Sequence, residues 1–215
     1  MNAVKPIPTF YAGVRFKSRL EARWAVFFDS LDVEWAYEAE GFQLPSRWYV
    51  PDFWLPDLKI WFEVKPFSMT WDERQKAKEL CEHSGFAVLV SDGLPRADWQ
   101  GASFSWQTGC GEPEDEGMYG GEAASDHAIL VEDAPFMISQ YPDFDGRREM
   151  WVYLKHWRHN APLWRRPDGM FAPYPVRKPF CWGQYDEDYA ADAIAPQAML
   201  WLMQPHVDAA RKAQF

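Results

Sequence analysis

The sequence contains little cysteine and no long apolar run. Its three cysteines, Cys81, Cys110 and Cys181, are odd in number, far apart and without the CxxC spacing of a structural zinc site. They provide no disulfide framework and fit a reducing compartment. No apolar stretch approaches the roughly 20 residues of a membrane span, and no positively charged N-terminal segment precedes an apolar run. We therefore expect a soluble, cytoplasmic protein without a membrane partner.

Positive charge is also scarce. The chain has 22 Lys and Arg residues against 32 Asp and Glu residues, so its net charge is −10. Because phosphate binding depends on Lys and Arg, this balance argues against a nucleic-acid partner. The charge is uneven, however, and amounts to −3 over residues 1–95, −9 over residues 96–150 and +2 over residues 151–215. The net charge therefore says little about either end of the chain.

Aromatic residues are abundant, with 13 Trp, 15 Phe and 9 Tyr, and they predict a folded chain with a sizeable core. Residues 16–31 repeat apolar side chains every three to four positions, as an amphipathic helix does. Residues 33–44, 47–55 and 58–66 are rich in β-branched and aromatic residues and are separated by Gly and Pro turn signals. They predict three antiparallel strands.

A second helix is expected between Thr70, its candidate N-cap, and Gly85, a C-terminal stop. Residues 86–92 are a short and almost continuously apolar run, which predicts a strand buried on both faces. The order helix, three strands, helix, strand defines an α/β core over residues 1–95.

The remaining chain divides into two parts. Residues 96–150 are acidic, and within them residues 101–126 are rich in Gly, Ser, Glu and Asp without a sustained period, so we expect a loop insert with structure resuming near residue 129. Residues 151–215 form a C-terminal extension with a basic aromatic segment and a last helix that begins near Pro196. The overall fold class is therefore α/β, with an acidic loop and an α-containing extension.

Ionisable residues interrupt the strand pattern around residue 60. From residue 58 to residue 64 the four apolar residues Leu58, Ile60, Phe62 and Val64 fall on one parity, which predicts one buried face. The opposite parity carries Lys59, Trp61, Glu63 and Lys65. Asp52 belongs to the preceding strand. Oxygen ligands suit a hard cation such as Mg²⁺, which Asp52, Glu63 and the carbonyl of Val64 could hold. Lys65 could orient or help deprotonate a water and stabilise developing negative charge.

At these residues the chain resembles the PD-(D/E)XK nuclease superfamily. The signature reads Pro51-Asp52, then Glu63-Val64-Lys65 eleven residues on, with Glu21 in the upstream helix. The resemblance covers about residues 10–95. The residue pattern around these motifs is similar to that of small phage or prophage nuclease-like proteins.

The resemblance implies a restriction-endonuclease-like core of mixed sheet flanked by helices. It also implies metal ligation by Asp52 and Glu63 with Mg²⁺, or Mn²⁺ in its place, catalysis by Lys65, and Glu21 as an accessory acid. In several branches of the superfamily a Gln or Lys of the next helix contacts the site or the nucleic-acid backbone. Here that helix carries Gln75, Lys76 and Lys78.

Each of these assignments has a structural alternative. Glu21 is also the last residue of a capping box that starts at Ser18. Glu63 and Lys65 could be an ion pair on an exposed strand, worth at most about 1 kcal/mol, and Asp52 could be a turn residue after Pro51. The helix residues Gln75, Lys76 and Lys78 could be a solvated face. The basic aromatic segment could bind bases and phosphates or be ordinary core and surface, and its candidate nucleic-acid contacts are Arg158, Arg165 and Arg166.

The function expected from these residues is metal-dependent endonucleolytic hydrolysis of phosphodiester bonds in DNA. A protein partner could supply the DNA affinity that the weakly charged core lacks, and a homodimer would place two sites on a duplex. The alternative is a non-catalytic binding or inhibitor protein that has a nuclease fold and acts on a protein partner.

Overall fold

A computed structural model describes residues 5–98, 100–108, 128–132, 135–142, 148–154, 163–165, 171–173 and 196–215. Within these ranges the chain has a mixed α/β fold, in which a mixed sheet is flanked by helices. The predicted fold class is confirmed at that level. Residues 109–126 of the predicted loop and two of the candidate nucleic-acid contacts, Arg158 and Arg166, lie outside the described residues.

The described elements have the following bounds. The first ten are β1 (Thr9–Tyr11), β2 (Val14–Phe16), α1 (Arg19–Ser30), β3 (Ala36–Tyr37), β4 (Phe42–Gln43), β5 (Trp48–Tyr49), β6 (Phe53–Leu55), β7 (Ile60–Lys65), α2 (Trp71–Ser84) and β8 (Ala87–Asp92). They are followed by β9 (Ala102–Thr108), β10 (Ala128–Glu132), β11 (Phe136–Pro142), β12 (Arg148–Leu154), β13 (Leu163–Arg165), β14 (Phe171–Pro173) and α3 (Pro196–Lys212).

The central sheet of the described chain has the strand order β10–β9–β8–β7–β6–β3. β7 and β8 are parallel, and α2 forms the crossover connection that a parallel pair requires. The other pairings in this sheet are antiparallel. A second, antiparallel sheet has the order β11–β12–β13–β14. The boundary expected near residue 95 falls between β8 and β9, which pair with each other, so the central sheet continues across it.

The single strands predicted for residues 33–44 and 47–55 are wrong in their extent. Each region breaks into two short strands, because β3 and β6 join the central sheet while β4 and β5 pair with each other as a separate hairpin. A turn with Glu38 at a positive φ of 48° follows β3. The hairpin β1–β2, which precedes α1, was not expected from the sequence.

The loop predicted for residues 101–126 is also corrected at its start. Residues Ala102–Thr108 form β9, which pairs with both β8 and β10. Ser103 and Ser105 alternate with Phe104 and Trp106, which is a strand repeat hidden among the glycines and acids that follow. The expected return of structure near residue 129 is confirmed, since β10 begins at Ala128.

β7 is buried on both faces, which corrects the prediction of a single buried face. Ile60 and Phe62 pack in the core cluster formed with α1. Trp61 packs on the opposite face with residues of α2 and of the β4–β5 hairpin, and is only 4% exposed. The residues that alternate with the apolar ones, Glu63 included, are therefore enclosed by a second layer instead of facing solvent.

The helices α1 and α3 share the larger core cluster. α1 begins at its N-cap Ser18, and Trp24 donates a hydrogen bond from Nε1 to the carbonyl oxygen of Gly93 at 3.0 Å, which ties the helix to the turn after β8. α3 starts at Pro196, as expected, and packs on α1. The C-terminal helix therefore belongs to the same core as α1, to which it contributes Met203, Val207 and Ala210.

The second helix is confirmed together with its caps. Thr70 and Glu73 form a reciprocal capping box at the N-terminus of α2, and Gly85 adopts a left-handed conformation with φ 72° at the C-terminus. Burial acts to raise the pKa of Glu73, but hydrogen bonds from the Thr70 amide and hydroxyl outweigh it, so the pKa lies below its usual value. The ionised carboxylate is therefore the form that caps the helix.

Thr70→Ala is expected to lower the free energy of unfolding by about 1 kcal/mol at neutral pH, because it removes the side chain that caps the Glu73 amide. The stabilisation linked to the lowered pKa of Glu73 is present above the usual pKa of a glutamate and is lost as the pH falls through the lowered value. Urea unfolding at a series of pH values measures both effects. If a Glu73→Gln variant lost the same unfolding free energy as the wild type when the pH falls, this assignment would be contradicted.

Gly101→Ala is expected to lower the free energy of unfolding by about 3 kcal/mol, because left-handed strain is worth about 1–2 kcal/mol and a steric clash adds to it. Gly101 has φ +53°, and an added Cβ would lie 1.8 Å from the carbonyl oxygen of Val90. Gly13→Ala is the matched control, because Gly13 has φ +79° but nothing within 4 Å of an added Cβ. Equal losses in denaturant unfolding of the two variants would exclude the clash.

Candidate functional site

Asp52 and Glu63 face each other across two paired strands. β6 and β7 are in register with Phe53 opposite Phe62, so the next positions outward are Asp52 and Glu63, on one face of the pair. The Asp52 amide donates a hydrogen bond to Oε1 of Glu63 at 3.3 Å, and the Val64 amide donates to Oδ2 of Asp52 at 2.8 Å. Strand pairing alone therefore brings together two carboxyl groups that are separated by eleven residues in sequence.

Lys65 completes the cluster at the end of β7. Its ammonium Nζ lies 3.1 Å from Oε2 of Glu63, whose side chain is only 2% exposed, and the Lys65 side chain itself is 18% exposed. The alternative of an ion pair on an exposed strand is therefore wrong. Burying such a pair costs desolvation energy that its mutual attraction offsets only in part, so stability by itself is a poor reason for its position.

The two acids compete for the same ammonium. Burial raises the pKa of Asp52 well above its usual value and the charge of Glu63 raises it further, against smaller opposing contributions from Lys65 and the Val64 amide. Burial lowers the pKa of Lys65, but the carboxylates of Glu63 and Asp52 outweigh it, and the pKa rises. The site thus holds two carboxylates that repel each other and one cation that both attract.

Glu21 has a different environment from the one expected of an accessory acid. It is 8% exposed in the first turn of α1, where Ser18 donates to Oε1 at 2.7 Å. Oε2 accepts hydrogen bonds from the Lys17 amide at 3.1 Å and from the Tyr37 hydroxyl at 2.5 Å. These bonds favour the capping alternative. The backbone amide that donates to the Glu21 carboxylate is that of Lys17, however, one residue before the N-cap Ser18. The charge of Glu21 still contributes to the raised pKa of Asp52.

Tyr49 is a site residue that the sequence did not reveal. It packs against the cluster on the face of β7 that carries Glu63. Burial is the largest cause that raises the pKa of Tyr49, and the charges of Glu63 and Asp52 raise it further. The Lys76 ammonium lies 5.4 Å from the centre of the Tyr49 ring, in the range of a cation–π contact. In a chain with 37 aromatic residues, no sequence signal separates Tyr49 from the aromatic core residues.

The structure connects the other candidate nucleic-acid contacts less directly to the site. Lys76 reaches the site through Tyr49, whereas Gln75 and Lys78 are half-buried elsewhere on α2 and their role stays a prediction. Arg165 lies in β13 of the second sheet. Glu73 of the capping box interacts electrostatically with Lys65 and Lys76, so the start of α2 belongs to the surroundings of the site.

The donor set fits a hard divalent cation of the Mg²⁺ type. Mg²⁺ commonly takes one or two carboxylates and keeps several waters. Glu63 is buried and Asp52 is half-buried, and a cation would relieve the repulsion between their carboxylates. Among the described residues there is no group of three or more His, Cys, Asp and Glu side chains that could hold a metal.

Comparison with protein-family models, with curated proteins and with solved structures found no match to this chain. In the described ranges, none of the helices combines the length and the apolar character needed to cross a bilayer. The functional assignment therefore depends on the geometry of the site and on the resemblance carried by its residues.

Proposed function

We propose that the protein is a metal-dependent endonuclease of the PD-(D/E)XK class that hydrolyses phosphodiester bonds in DNA and acts in the cytoplasm. The observation that carries the proposal is the convergence of Asp52, Glu63 and Lys65 at neighbouring ends of β6 and β7. The helix before these strands, the mixed sheet and the crossover helix after them are consistent with a restriction-endonuclease-like core.

In this proposal Asp52 and Glu63 hold Mg²⁺ or Mn²⁺, with the Val64 carbonyl as the main-chain ligand. The cation, when bound, supplies charge stabilisation for the scissile phosphate and a water of lowered pKa. Lys65 donates hydrogen bonds that orient the attacking water or a phosphate oxygen, and its ammonium stabilises the negative charge that develops there. Glu63 keeps that ammonium in place at 3.1 Å.

The test is cleavage of supercoiled, linear, branched and single-stranded DNA, and of RNA, with Mg²⁺, Mn²⁺ or EDTA. We expect cutting of DNA that requires the metal and stops with EDTA. If the folded protein cuts none of these substrates with either metal, the proposal fails for the isolated chain.

A second candidate is a non-catalytic protein with a nuclease fold that binds a protein partner. It is favoured by the hydrogen bonds that occupy both oxygens of Glu21, since they engage the accessory acid that the resemblance implies for the site. This candidate predicts a stable complex with a protein partner that survives Asp52→Asn. Affinity purification of tagged wild-type and Asp52→Asn proteins, followed by light scattering of the eluted complex, distinguishes it from the enzyme.

A further inference from the structure

A small polar cavity lies next to the candidate site, at the carboxyl ends of the parallel strands β7 and β8. Its volume is about 130 Å³, and its wall includes Ser68, Arg74, Ser91 and Asp92. Ligands of α/β sheets commonly bind outside the carboxyl ends of the strands. This cavity is much smaller than the roughly 300–1,000 Å³ of pockets for drug-sized ligands, so it suits one ring system or one small polar group.

Two contacts connect the cavity to the site. The register of β7 and β8 sets Asp92 directly beside Lys65, at a strand spacing of about 4.8 Å. The Ser91 hydroxyl donates a hydrogen bond to the carbonyl oxygen of Glu63 at 3.2 Å. The cavity therefore adjoins the strand end that carries Glu63 and Lys65.

Two aromatic side chains flank the cavity wall in sequence and are exposed to solvent. Phe67 and Trp71 are 71% and 74% exposed, and the cavity-lining residues Ser68 and Met69 lie between them on the connection from β7 to α2. Large aromatic side chains are costly to leave in water. The core of this chain buries many others completely, including Trp24, Phe27, Phe28 and Phe62.

We propose, on the basis of the function proposed above, that this connection binds an unpaired nucleotide next to the scissile phosphate, with its base stacked on Phe67 or Trp71. A base offers a π-face to such residues only when it is not covered by neighbouring bases, as in single strands or flipped-out positions. The polar wall with Ser68 and Arg74 then provides hydrogen-bonding groups for the edge of the base or its phosphate. The substrate class is single-stranded or locally unpaired DNA in preference to intact duplex.

The test compares the full-length wild type with Phe67→Ala, Trp71→Ala and the control Phe10→Ala. Phe10 is a phenylalanine of matched exposure, 70%, on β1, which packs against β2 and α1. A fluorescein-labelled 20-nucleotide single strand and the duplex of the same sequence are the probes. Their dissociation constants are measured by anisotropy in EDTA at one fixed salt concentration, and cleavage of both is measured with Mg²⁺.

We expect the wild type to bind and cut the single strand in preference to the duplex. At least one of the variants Phe67→Ala and Trp71→Ala should weaken single-strand binding by about five- to a hundredfold, the range for loss of one stacked base, with little effect on duplex binding. Phe10→Ala should match the wild type. Thermal unfolding should be unchanged in all three variants because the replaced side chains are exposed.

The outcomes separate this inference from the nuclease assignment. If metal-dependent cleavage is equal for the single strand and the duplex, or is unchanged in both Phe67→Ala and Trp71→Ala, the inference is overturned. The nuclease assignment is then retained. Weakened single-strand binding by the variants, with no cleavage by the wild type of any substrate in the nuclease test above, supports the stacking site and overturns the nuclease. No binding of the single strand overturns the inference, and no cleavage of any substrate in that test overturns the nuclease as well.

Discussion

Replacing Asp52 with asparagine is expected to abolish metal-dependent cleavage while making the fold more stable. Asparagine keeps an oxygen that accepts the hydrogen bond from the Val64 amide but removes the charge that Glu63 repels. We expect a loss of at least about a hundredfold in kcat, since a metal ligand and its charge are lost. The free energy of unfolding at neutral pH should rise by on the order of 1–2 kcal/mol.

The sign of the pH dependence follows from the raised pKa. Because the folded protein holds the Asp52 proton more tightly than the unfolded chain does, this group favours folding below the usual aspartate pKa, and that contribution is lost as the pH rises through the raised value. The stability advantage of Asp52→Asn should therefore be largest near neutral pH and shrink in acid. Urea unfolding of both proteins from acid to neutral pH measures it.

Asp57→Asn is the matched control, because it makes the same chemical change at an exposed position in the turn between β6 and β7. It should alter neither cleavage nor the unfolding free energy by more than about 0.5 kcal/mol. Full cleavage by a folded Asp52→Asn protein would remove Asp52 from the catalytic site. A stability loss instead of a gain would show that its charge is compensated in the folded protein.

Replacing Lys65 with methionine is expected to remove activity and to destabilise the protein by about 2–4 kcal/mol. The stability loss arises because Glu63, 2% exposed, would be left without the ammonium at 3.1 Å, and breaking a buried pair leaves an uncompensated charge. The range stays below that of fully buried pairs because the Lys65 side chain is 18% exposed. Cleavage should fall by at least about a hundredfold, as for loss of a charge-stabilising group.

A double variant separates the structural role from the catalytic one. Glu63→Gln added to Lys65→Met removes the unpaired carboxylate, so most of the lost stability should return, whereas cleavage should stay absent. The control is Lys59→Met, a lysine exposed in the turn before β7. If the double variant were no more stable than Lys65→Met alone, an unpaired Glu63 would not be the cause of the loss.

Local structure was predictable where the deciding contacts lie within a few residues. Ser18 and Thr70 cap helices through the third residue that follows them, and Gly85 ends α2 because glycine adopts positive φ without strain. The alternation in β7 and the apolar run of β8 likewise indicate strands without knowledge of their neighbours. The grouping of Asp52, Glu63 and Lys65 was expected because two consecutive strands commonly pair.

Only the tertiary structure decided what surrounds these elements. β7 is buried on both faces because α2 and the β4–β5 hairpin cover the side that carries Glu63. The alternation of residues along a strand does not indicate what packs against the more polar face of that strand. Glu21 accepts a hydrogen bond from Tyr37, sixteen residues away. Tyr49 belongs to the separate β4–β5 hairpin and packs with the cluster on the face of β7 that carries Glu63.

The sequence by itself therefore determined the helices, their caps and the candidate catalytic residues, since these depend on side chains close together along the chain. Tertiary packing decided the burial of the Glu63–Lys65 pair, the addition of β9 to the sheet and the docking of α3 on α1. The physical reason is that desolvation and electrostatic energies depend on every group packed around a residue, and most of those groups come from distant parts of the chain.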